Sequence, residues 1–351
     1  MIVKSLILRN FRLYPEVSFA FGSKLNVFYG KNATGKTSIL EAIQFFVNFR
    51  SFRTPYLADL ISKEQKYFSA ELRFSRHGID QKIYVYYSPK EKKVIYNSTN
   101  CPSFSSLLGL LKGVIIVPED IEIIKGSPQS RREFLDIFLM QIDPMFVHHL
   151  NRYQRAMKQR NTLLKLKRKD GIENWEHEMA LSANYISLKR NELTQQLVPI
   201  VEKIYYQISN ENFPLAIRYK SNLKVEKNNL YEEYIRLFCS NRNKEMEIGL
   251  TMEGPHKDDI TFKVDKAEIK HFGSEGQLRT LVIALKLAQW IQLKNITGMS
   301  PLAFIDDISI HLDKNRKEAI NVFLEEFDQT FITTTEVPIS QTANNRYFLI
   351  T

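Results

Sequence analysis

Cysteine is scarce: Cys101 and Cys239 are the only two in 351 residues. They form neither a metal-ligand spacing nor a disulfide framework, which excludes a disulfide-stapled secreted module and fits a reduced compartment, the cytoplasm. Long apolar runs are missing as well, and no stretch approaches the length of a membrane span, so no membrane partner is expected. The start, Met1-Ile2-Val3-Lys4-Ser5-Leu6-Ile7-Leu8-Arg9, is too short and too interrupted for a signal peptide. No internal repeat or low-complexity tract stands out. Acidic residues are outnumbered, with 39 Asp and Glu against 49 Lys and Arg, a net charge of +10 and a pI near 9.3. That balance favours an anionic partner such as nucleic acid. Apolar residues are plentiful at 44%, enough for a sizeable core in one large domain or two ordinary ones.

The most specific local pattern is Gly30-Lys31-Asn32-Ala33-Thr34-Gly35-Lys36-Thr37, which matches the phosphate-binding P-loop at every fixed position. An apolar run, Leu25-Asn26-Val27-Phe28-Tyr29, precedes it, and Ser38-Ile39-Leu40-Glu41-Ala42-Ile43 reads as a helix after it. Strand, loop and helix in that order are the context such a loop needs. Its glycines let backbone N–H groups close around a β-phosphate. Lys36 reaches the β- and γ-phosphates, and the Thr37 hydroxyl is suited to Mg²⁺. ATP is the expected ligand, with Gly30 through Ser38 as its binding segment.

Such a loop needs an acidic partner for the metal at the end of a neighbouring strand. Leu302-Ala303-Phe304-Ile305-Asp306-Asp307 supplies four apolar residues and then two carboxylates. Asp306 is expected beside Thr37 at the metal, and Asp307 is the candidate catalytic carboxylate, polarising the attacking water. A third element is Ser274-Glu275-Gly276-Gln277-Leu278-Arg279 at the start of an apolar-striped helix. Ser274 is a good N-cap; with Gly276 and Gln277 it makes a helix-terminal anion site. P-loop, Ser-x-Gly-Gln helix start, apolar strand with two acids and then Leu312-Asp313 follow in the order of ABC-type ATPases. In that class the Ser-x-Gly-Gln helix of one subunit meets the P-loop of another across ATP.

The chain reads as β-rich up to about residue 125, with short strands at Ile2 to Leu8, Leu25 to Tyr29, Lys82 to Tyr87, Lys93 to Tyr96 and Gly113 to Val117. From Ser130 to about Tyr206, Gly and Pro are few and apolar residues recur at helical spacing, with a further helix around Leu230 to Phe238. Strand candidates return at Thr251 to Glu253, Ile260 to Val264 and Leu302 to Ile305, with a helix over Gln277 to Leu293. The expected fold is α/β: an ABC-type P-loop ATPase head from residues 1–125 and 246–351, with a helical insertion (lever arm) domain at 126–245. The nucleotide motifs sit near both termini, so two sequential domains do not explain the order.

With these motifs in place, the sequence resembles the RecF family, bacterial recombination mediators related to the structural-maintenance-of-chromosomes ATPases. The resemblance rests on Leu8-Arg9-Asn10-Phe11-Arg12, the P-loop helix, Arg50-Ser51-Phe52-Arg53, Pro118-Glu119-Asp120 and Lys125-Gly126-Ser127-Pro128 with Arg131-Arg132-Glu133-Phe134-Leu135-Asp136. It continues through Gln159-Arg160-Asn161-Thr162-Leu163-Leu164 and is most specific at Gly254-Pro255-His256-Lys257-Asp258-Asp259. Three departures are visible. Ala33 replaces a customary Gly, and Ile310 and His311 replace polar residues in a loop expected at the dimer seam; the chain also stops soon after Ile332-Thr333-Thr334-Thr335. The middle one bears on hydrolysis and signalling more than on binding.

The resemblance implies an ATP-dependent homodimer that binds single- and double-stranded DNA without sequence preference. It further implies recombinase loading at gaps with RecR and RecO, support of SOS induction, and release by slow, DNA-dependent ATP hydrolysis. Arg152, Arg155, Lys158, Arg160, Lys165, Lys167, Arg168 and Lys169 are the candidate phosphate contacts. Asn10 and Arg12 are candidates for the nucleotide's α-phosphate or base. His256 reads as structural, and Asp258 and Asp259 as organisers of a turn. The competing reading from the residues alone is an ABC-type subunit driving a protein or transport partner without DNA. A non-hydrolysing clamp is a third.

Overall fold

Along Ile2–Phe11 (β1) Val3, Leu6, Leu8 and Phe11 are buried, the alternation being broken by a register shift between Val3 and Ser5 and by Asn10 at φ +52°. A two-residue turn at Arg12-Leu13 returns the chain antiparallel as Tyr14–Ala20 (β2), with Arg12 at φ +53°. Leu25–Tyr29 (β3), the P-loop and the helix Lys36–Asn48 (α1) follow. Phe68–Arg76 (β4), Ile79–Tyr87 (β5), Lys92–Tyr96 (β6) and Thr99–Cys101 (β7) then extend an antiparallel sheet in the order β2-β1-β4-β5-β6-β7. Gly113–Ile116 (β8) belongs to a second, parallel sheet.

The computed structural model describes residues 1–209, 214–223, 229–307, 322–323, 325–336 and 344–351. Two compact units emerge, one of residues 1–120, 207–209 and 283–351, the other of residues 121–206 and 210–282. Helices dominate the latter: Glu122–Lys125 (α2), Pro128–Ile142 (α3), Pro144–Lys165 (α4) and Ile172–Ser209 (α5). Prolines at the first turns of α3 and α4 suit positions whose N–H has no helical partner. Asp143 caps α4, its Oδ1 accepting from the N–H groups of Met145 (2.9 Å) and Phe146 (3.2 Å). Leu215–Lys220 (β9), Tyr231–Ile248 (α6), Asp259–Val264 (β10), Ala267–Glu268 (β11) and Ile269–Phe272 (α7) complete it, with β9, β10 and β11 in one three-stranded sheet. Glu275–Thr297 (α8) runs from the helical unit into residues of the first.

One expected strand does not form. Thr251 to Glu253 is irregular, because its backbone donors are met by side chains: Thr251 N–H by Asn161 Oδ1 at 2.8 Å and Met252 N–H by Glu245 Oε1 at 2.6 Å.

Back in the first unit, Leu302–Asp306 (β12), Thr330–Thr334 (β13) and Arg346–Leu349 (β14) build the parallel sheet β14-β3-β13-β12-β8. Every residue of β12 is buried, as its apolar run requires in a parallel sheet. Helix α1 touches β12 and β13 of this sheet and β1 and β4 of the antiparallel one. All of its residues except Thr37 are buried. Each large apolar side chain there, such as Ile39, Phe45 or Phe46, contributes about 1.5–3 kcal/mol of burial. The P-loop is thereby mounted on a helix that cannot shift without opening the core.

Candidate functional site: the P-loop and its neighbours

The loop between β3 and α1 keeps the shape its residues predict. Gly30 has φ +149°, and a Cβ there would fall 2.2 Å from the Ile350 carbonyl oxygen. Gly35 has φ +102° and serves as the N-cap of α1 without a side-chain cap, so the first N–H groups of the helix retain their anion-binding character. Ala33 takes φ +65°, a conformation that suits the glycine customary here. Lys31 and Asn32 are exposed beside it, and Thr34 Oγ1 donates to Lys31 O at 3.0 Å, closing the turn. Ser38, the third residue of α1, lies buried. Lys36 is 6% exposed, its Nζ donating to Gly30 O (2.8 Å) and Lys31 O (2.7 Å). Its ammonium is thus drawn over the loop that would enclose a phosphate.

Parallel pairing carries Asp306 to the same level. Thr37 Oγ1 donates to Asp306 Oδ1 at 3.0 Å, bridging the two ends of the chain. The separation fits a metal test: adjacent oxygens of a Mg²⁺ octahedron with bonds of about 2.1 Å stand roughly 3.0 Å apart. Among the described residues no three His, Cys, Asp or Glu side chains gather to hold an ion unaided. Such a site suits Mg²⁺, which takes one or two protein oxygens and completes its shell with phosphate and water.

Thr333, at the end of β13, is a residue whose role the sequence did not reveal. It is 1% exposed and its hydroxyl donates a short hydrogen bond to Asp306 Oδ1. The Asp307 N–H reaches Thr333 O (3.3 Å) and Thr333 Oγ1 (3.2 Å), with Asp307 at φ +44°. A threonine on the neighbouring strand thereby holds the carboxylate of Asp306 and the backbone of Asp307. Residues 308–313, including Ile310, His311 and Leu312-Asp313, lie outside the described residues.

Arg12 is engaged elsewhere than expected. Its guanidinium makes a bidentate pair with the fully buried Glu41 of α1 (2.9 and 2.7 Å) and donates to Asp59 O at 2.8 Å. Ser51 also donates to Glu41, and Arg53 stands 3.6 Å from it. Asn10 contributes its carbonyl to the Ser62 N–H at 2.9 Å. The family-type segments Asn10 to Arg12 and Arg50 to Arg53 therefore converge on one buried carboxylate that anchors α1.

In the helical unit, Ser274 and Gln277 form a reciprocal capping box. Gln277 N–H donates to Ser274 Oγ at 3.2 Å, and Ser274 N–H to Gln277 Oε1 at 3.0 Å. Ser274 Oγ accepts there, which leaves its own O–H proton available to donate. Thr280 Oγ1 donates to Gly276 O at 2.8 Å. Glu275 meets Lys125 (2.6 Å) and Arg279 (3.1 Å), and the Lys125 hydrogen bond holds its carboxyl below the usual range.

The Gly-Pro-His segment is a junction of buried polar groups. Tyr153 Oη lies 2.7 Å from His256 Nδ1, and His256 Nε2 lies 3.1 Å from Thr251 O, the arrangement of a neutral imidazole that donates from Nε2. Burial pushes the His256 pKa down to about 4. Asp258 accepts from Ser187 (3.1 Å) and Tyr219; burial raises its pKa. Arg131 clamps Asp259 at 2.6 and 3.1 Å, and Arg190 clamps Asp136 at 2.8 Å on both arms while donating to Pro255 O at 2.6 Å. The acids organise this turn, as expected of them.

Arg160 corrects one expectation. It is wholly buried, paired with Glu176 (3.0 Å) and Glu245 (2.6 Å) and bonded to Thr251 Oγ1 (2.9 Å), so it is no surface phosphate contact. Arg152 pairs with Glu178. Arg155, Lys158, Lys165, Lys167, Arg168 and Lys169 are exposed. No described helix is long and apolar enough to cross a membrane.

Known proteins are similar to this chain in sequence and fold. The model of the RecF/RecN/SMC N-terminal domain matches residues 2–351. The chain is similar to the DNA replication and repair protein RecF of Protochlamydia amoebophila, 43% identical over 96% of this chain and 94% of that one. It is likewise similar to RecF of Geobacillus kaustophilus, 34% identical over 96% and 93%. The solved structure of the recombination mediator protein RecF-ATP in the RecFOR pathway superposes with a TM-score of 0.90 at 30% identity, covering 97% of this chain and 93% of that one. An SMC head bound to the C-terminal winged helix of ScpA shares the fold, at TM-score 0.54 and 16% identity over 96% and 90%.

Proposed function

We propose that this chain, which belongs to the RecF family of DNA replication and repair proteins within the RecF/RecN/SMC class, is an ATP-gated DNA-binding protein of recombinational repair. The observation that carries the reading is the Thr37–Asp306 contact at 3.0 Å beside a buried Lys36 held, among the described residues, by neutral carbonyls. The relative solved as RecF-ATP in the RecFOR pathway supports ATP as the nucleotide, with DNA, RecO and RecR as partners. Residues 1–125 and 246–351 act as the ATPase head and 126–245 as the helical arm, a functional division that assigns residues 246–282 to the head although they pack in the helical compact unit. Gly30 through Ser38 bind the phosphates. Thr37 and Asp306 would hold Mg²⁺, which supplies charge neutralisation at the phosphates when bound.

Lys36 exchanges its carbonyl partners for β- and γ-oxygens, an ammonium–phosphate contact stronger than the neutral ones it gives up. Ser274, Gly276 and Gln277 of a second copy receive the γ-phosphate, the Ser274 proton donating to it while Gln277 N–H keeps the hydroxyl oriented. A few charge-assisted hydrogen bonds of about 1.5–3 kcal/mol each suffice to make association depend on ATP. Asp307, oriented by Thr333, orients and polarises the attacking water. Slow hydrolysis then releases the dimer from DNA. Exposed cations of α4 and the turn after it contact DNA phosphates, so binding weakens with salt. Support of SOS induction and a cytoplasmic location belong to this reading.

Sedimentation with ATP, ADP and DNA tests it. Wild type is expected to dimerise with ATP, and Lys36→Ala to remain monomeric and to lose ATP-dependent DNA binding. Equal dimerisation of the variant would sink the reading. Ser274→Arg is expected to bind ATP as a monomer, and a loss of nucleotide affinity as severe as that of Lys36→Ala would refute the exchange of signature helices between copies.

A further inference from the structure

Nothing in the proposed hydrolysis uses Tyr14. It opens β2 opposite Phe11, at the hairpin turn whose Arg12 is clamped to Glu41 of α1. Its phenol lies against the P-loop: a Cβ on Gly35 would fall 2.7 Å from Tyr14 Oη and 3.1 Å from Cζ. Gly35 is the N-cap of α1, so the hydroxyl stands at the start of the helix that the loop feeds. Yet this Oη is shielded from solvent and has no hydrogen-bond partner among the described residues. Leaving a buried hydroxyl unpaired is costly, and phenylalanine would fill the same space without that cost. Stability alone therefore gives no reason for an oxygen here.

A ligand does. Backbone N–H groups of a P-loop cradle the α- and β-phosphates, and Gly35-Lys36 is the part of the loop that faces them. The Tyr14 hydroxyl packs on Gly35, at the edge of that cradle. We propose that the Tyr14 hydroxyl is a further nucleotide-binding group, donating its proton to a non-terminal phosphate oxygen of the nucleotide held in the P-loop. The assignment rests on the nucleotide reading above. Burial pushes the Tyr14 pKa up to about 12, so the phenol stays a neutral donor across the working pH range. Positioning of the hydroxyl falls to Arg12, whose pair with Glu41 fixes the hairpin turn on α1.

Tyr14→Phe in the full chain separates the two roles of the side chain, since it keeps the ring and removes only the oxygen. Two quantities are measured: affinity for Mg-ADP by calorimetry, and thermal unfolding without nucleotide. ADP is used because it carries both non-terminal phosphates and does not call on a second copy. The dissociation constant is expected to rise about tenfold, the loss of one hydrogen bond to a charged group. The nucleotide-free melting temperature is expected to rise by about 1–2 °C as the unpaired hydroxyl disappears. Unchanged ADP affinity in the variant, as an ordered water on Oη would produce, overturns the proposal alone. So does a lower melting temperature without nucleotide. Failure of the wild-type protein to bind ADP overturns the nucleotide reading together with it.

Discussion

Two buried cations of this protein are treated in opposite ways. Arg160 in the helical unit is surrounded by its complement: the carboxylates of Glu176 and Glu245, the Thr251 hydroxyl and the Phe238 carbonyl. Lys36 in the other unit is almost as buried and is held by two neutral carbonyls of its own loop. Taking an ammonium out of water without a counter-charge is expensive, and neutral acceptors recover only part of that cost. The first arrangement is a finished strut. The second is a site whose energetics improve when an anion arrives. The same contrast separates the neutral, fully partnered His256 from the unpartnered Tyr14 hydroxyl.

The sharpest way to break that contrast is to remove the strut. Arg160→Met leaves Glu245 buried without the cation it pairs with and Glu176 reliant on Arg242, and should cost about 3–5 kcal/mol in urea unfolding. Nucleotide affinity of the protein still folded should stay within about twofold of wild type, the range of an indirect effect. A large loss of affinity would mean that Arg160 serves the site after all.

His256 sharpens it by pH. The folded pKa of about 4 lies below the ordinary value of 6.5, so the unfolded chain takes up the proton first. Its contribution to stability is present above pH 6.5 and is lost as pH falls toward 4, amounting to about 2 kcal/mol by pH 5. Unfolding free energies from urea curves at pH 7.5 and 5 should differ by that amount more in wild type than in His256→Gln, whose amide can keep both hydrogen bonds. Equal pH slopes would show that the imidazole titrates freely.

Thr333→Val removes the hydroxyl that orients Asp306 and one acceptor for the Asp307 N–H. Stability should fall by about 1 kcal/mol. The Mg²⁺ concentration needed for half-maximal nucleotide binding should rise, which a purely structural threonine would not produce. Smallest of all is Ala33→Gly. Relief of the left-handed backbone at φ +65° is worth about 1 kcal/mol, and the added freedom of the unfolded chain opposes it by about 0.4–1 kcal/mol. The unfolding free energy should therefore change by less than about 0.5 kcal/mol, which explains how alanine is tolerated there. A loss above 2 kcal/mol would show that the Ala33 methyl packs in a way the exposed loop does not suggest.

Much of the site was legible because its signals are local. A P-loop is a run of residues with fixed backbone demands, and Gly30 and Gly35 stand where the geometry needs them. The apolar run before Asp306 could be read as a buried strand for the same reason. The stretch Thr251 to Glu253 misled because apolar and polar residues alternate there, while its N–H groups are met by the side chains of Asn161 and Glu245. Arg160 misled because a charge within a basic helix resembles a solvated face. Its burial depends on carboxylates from α5 and α6, far away in the chain. Thr333, Glu41 and Tyr14 carried no signal of their own, since each matters through a partner that only strand pairing or the hairpin turn brings near.

From its sequence alone this protein was bound to carry a phosphate loop, two acids at the end of a buried strand and a capped helix start at Ser274. Those features depend on neighbours within a few residues, where propensity and periodicity act directly. Tertiary structure decided which oxygens face each other: Thr37 and Asp306 across 269 positions, Thr333 beneath both acids, Tyr14 on Gly35. The physical reason is that strand pairing sets these neighbours: the parallel β3-β13-β12 register for Asp306 and Thr333, and the antiparallel β1–β2 hairpin for Tyr14. A one-residue change of pairing in the parallel sheet would turn Asp306 and Thr333 to the opposite face.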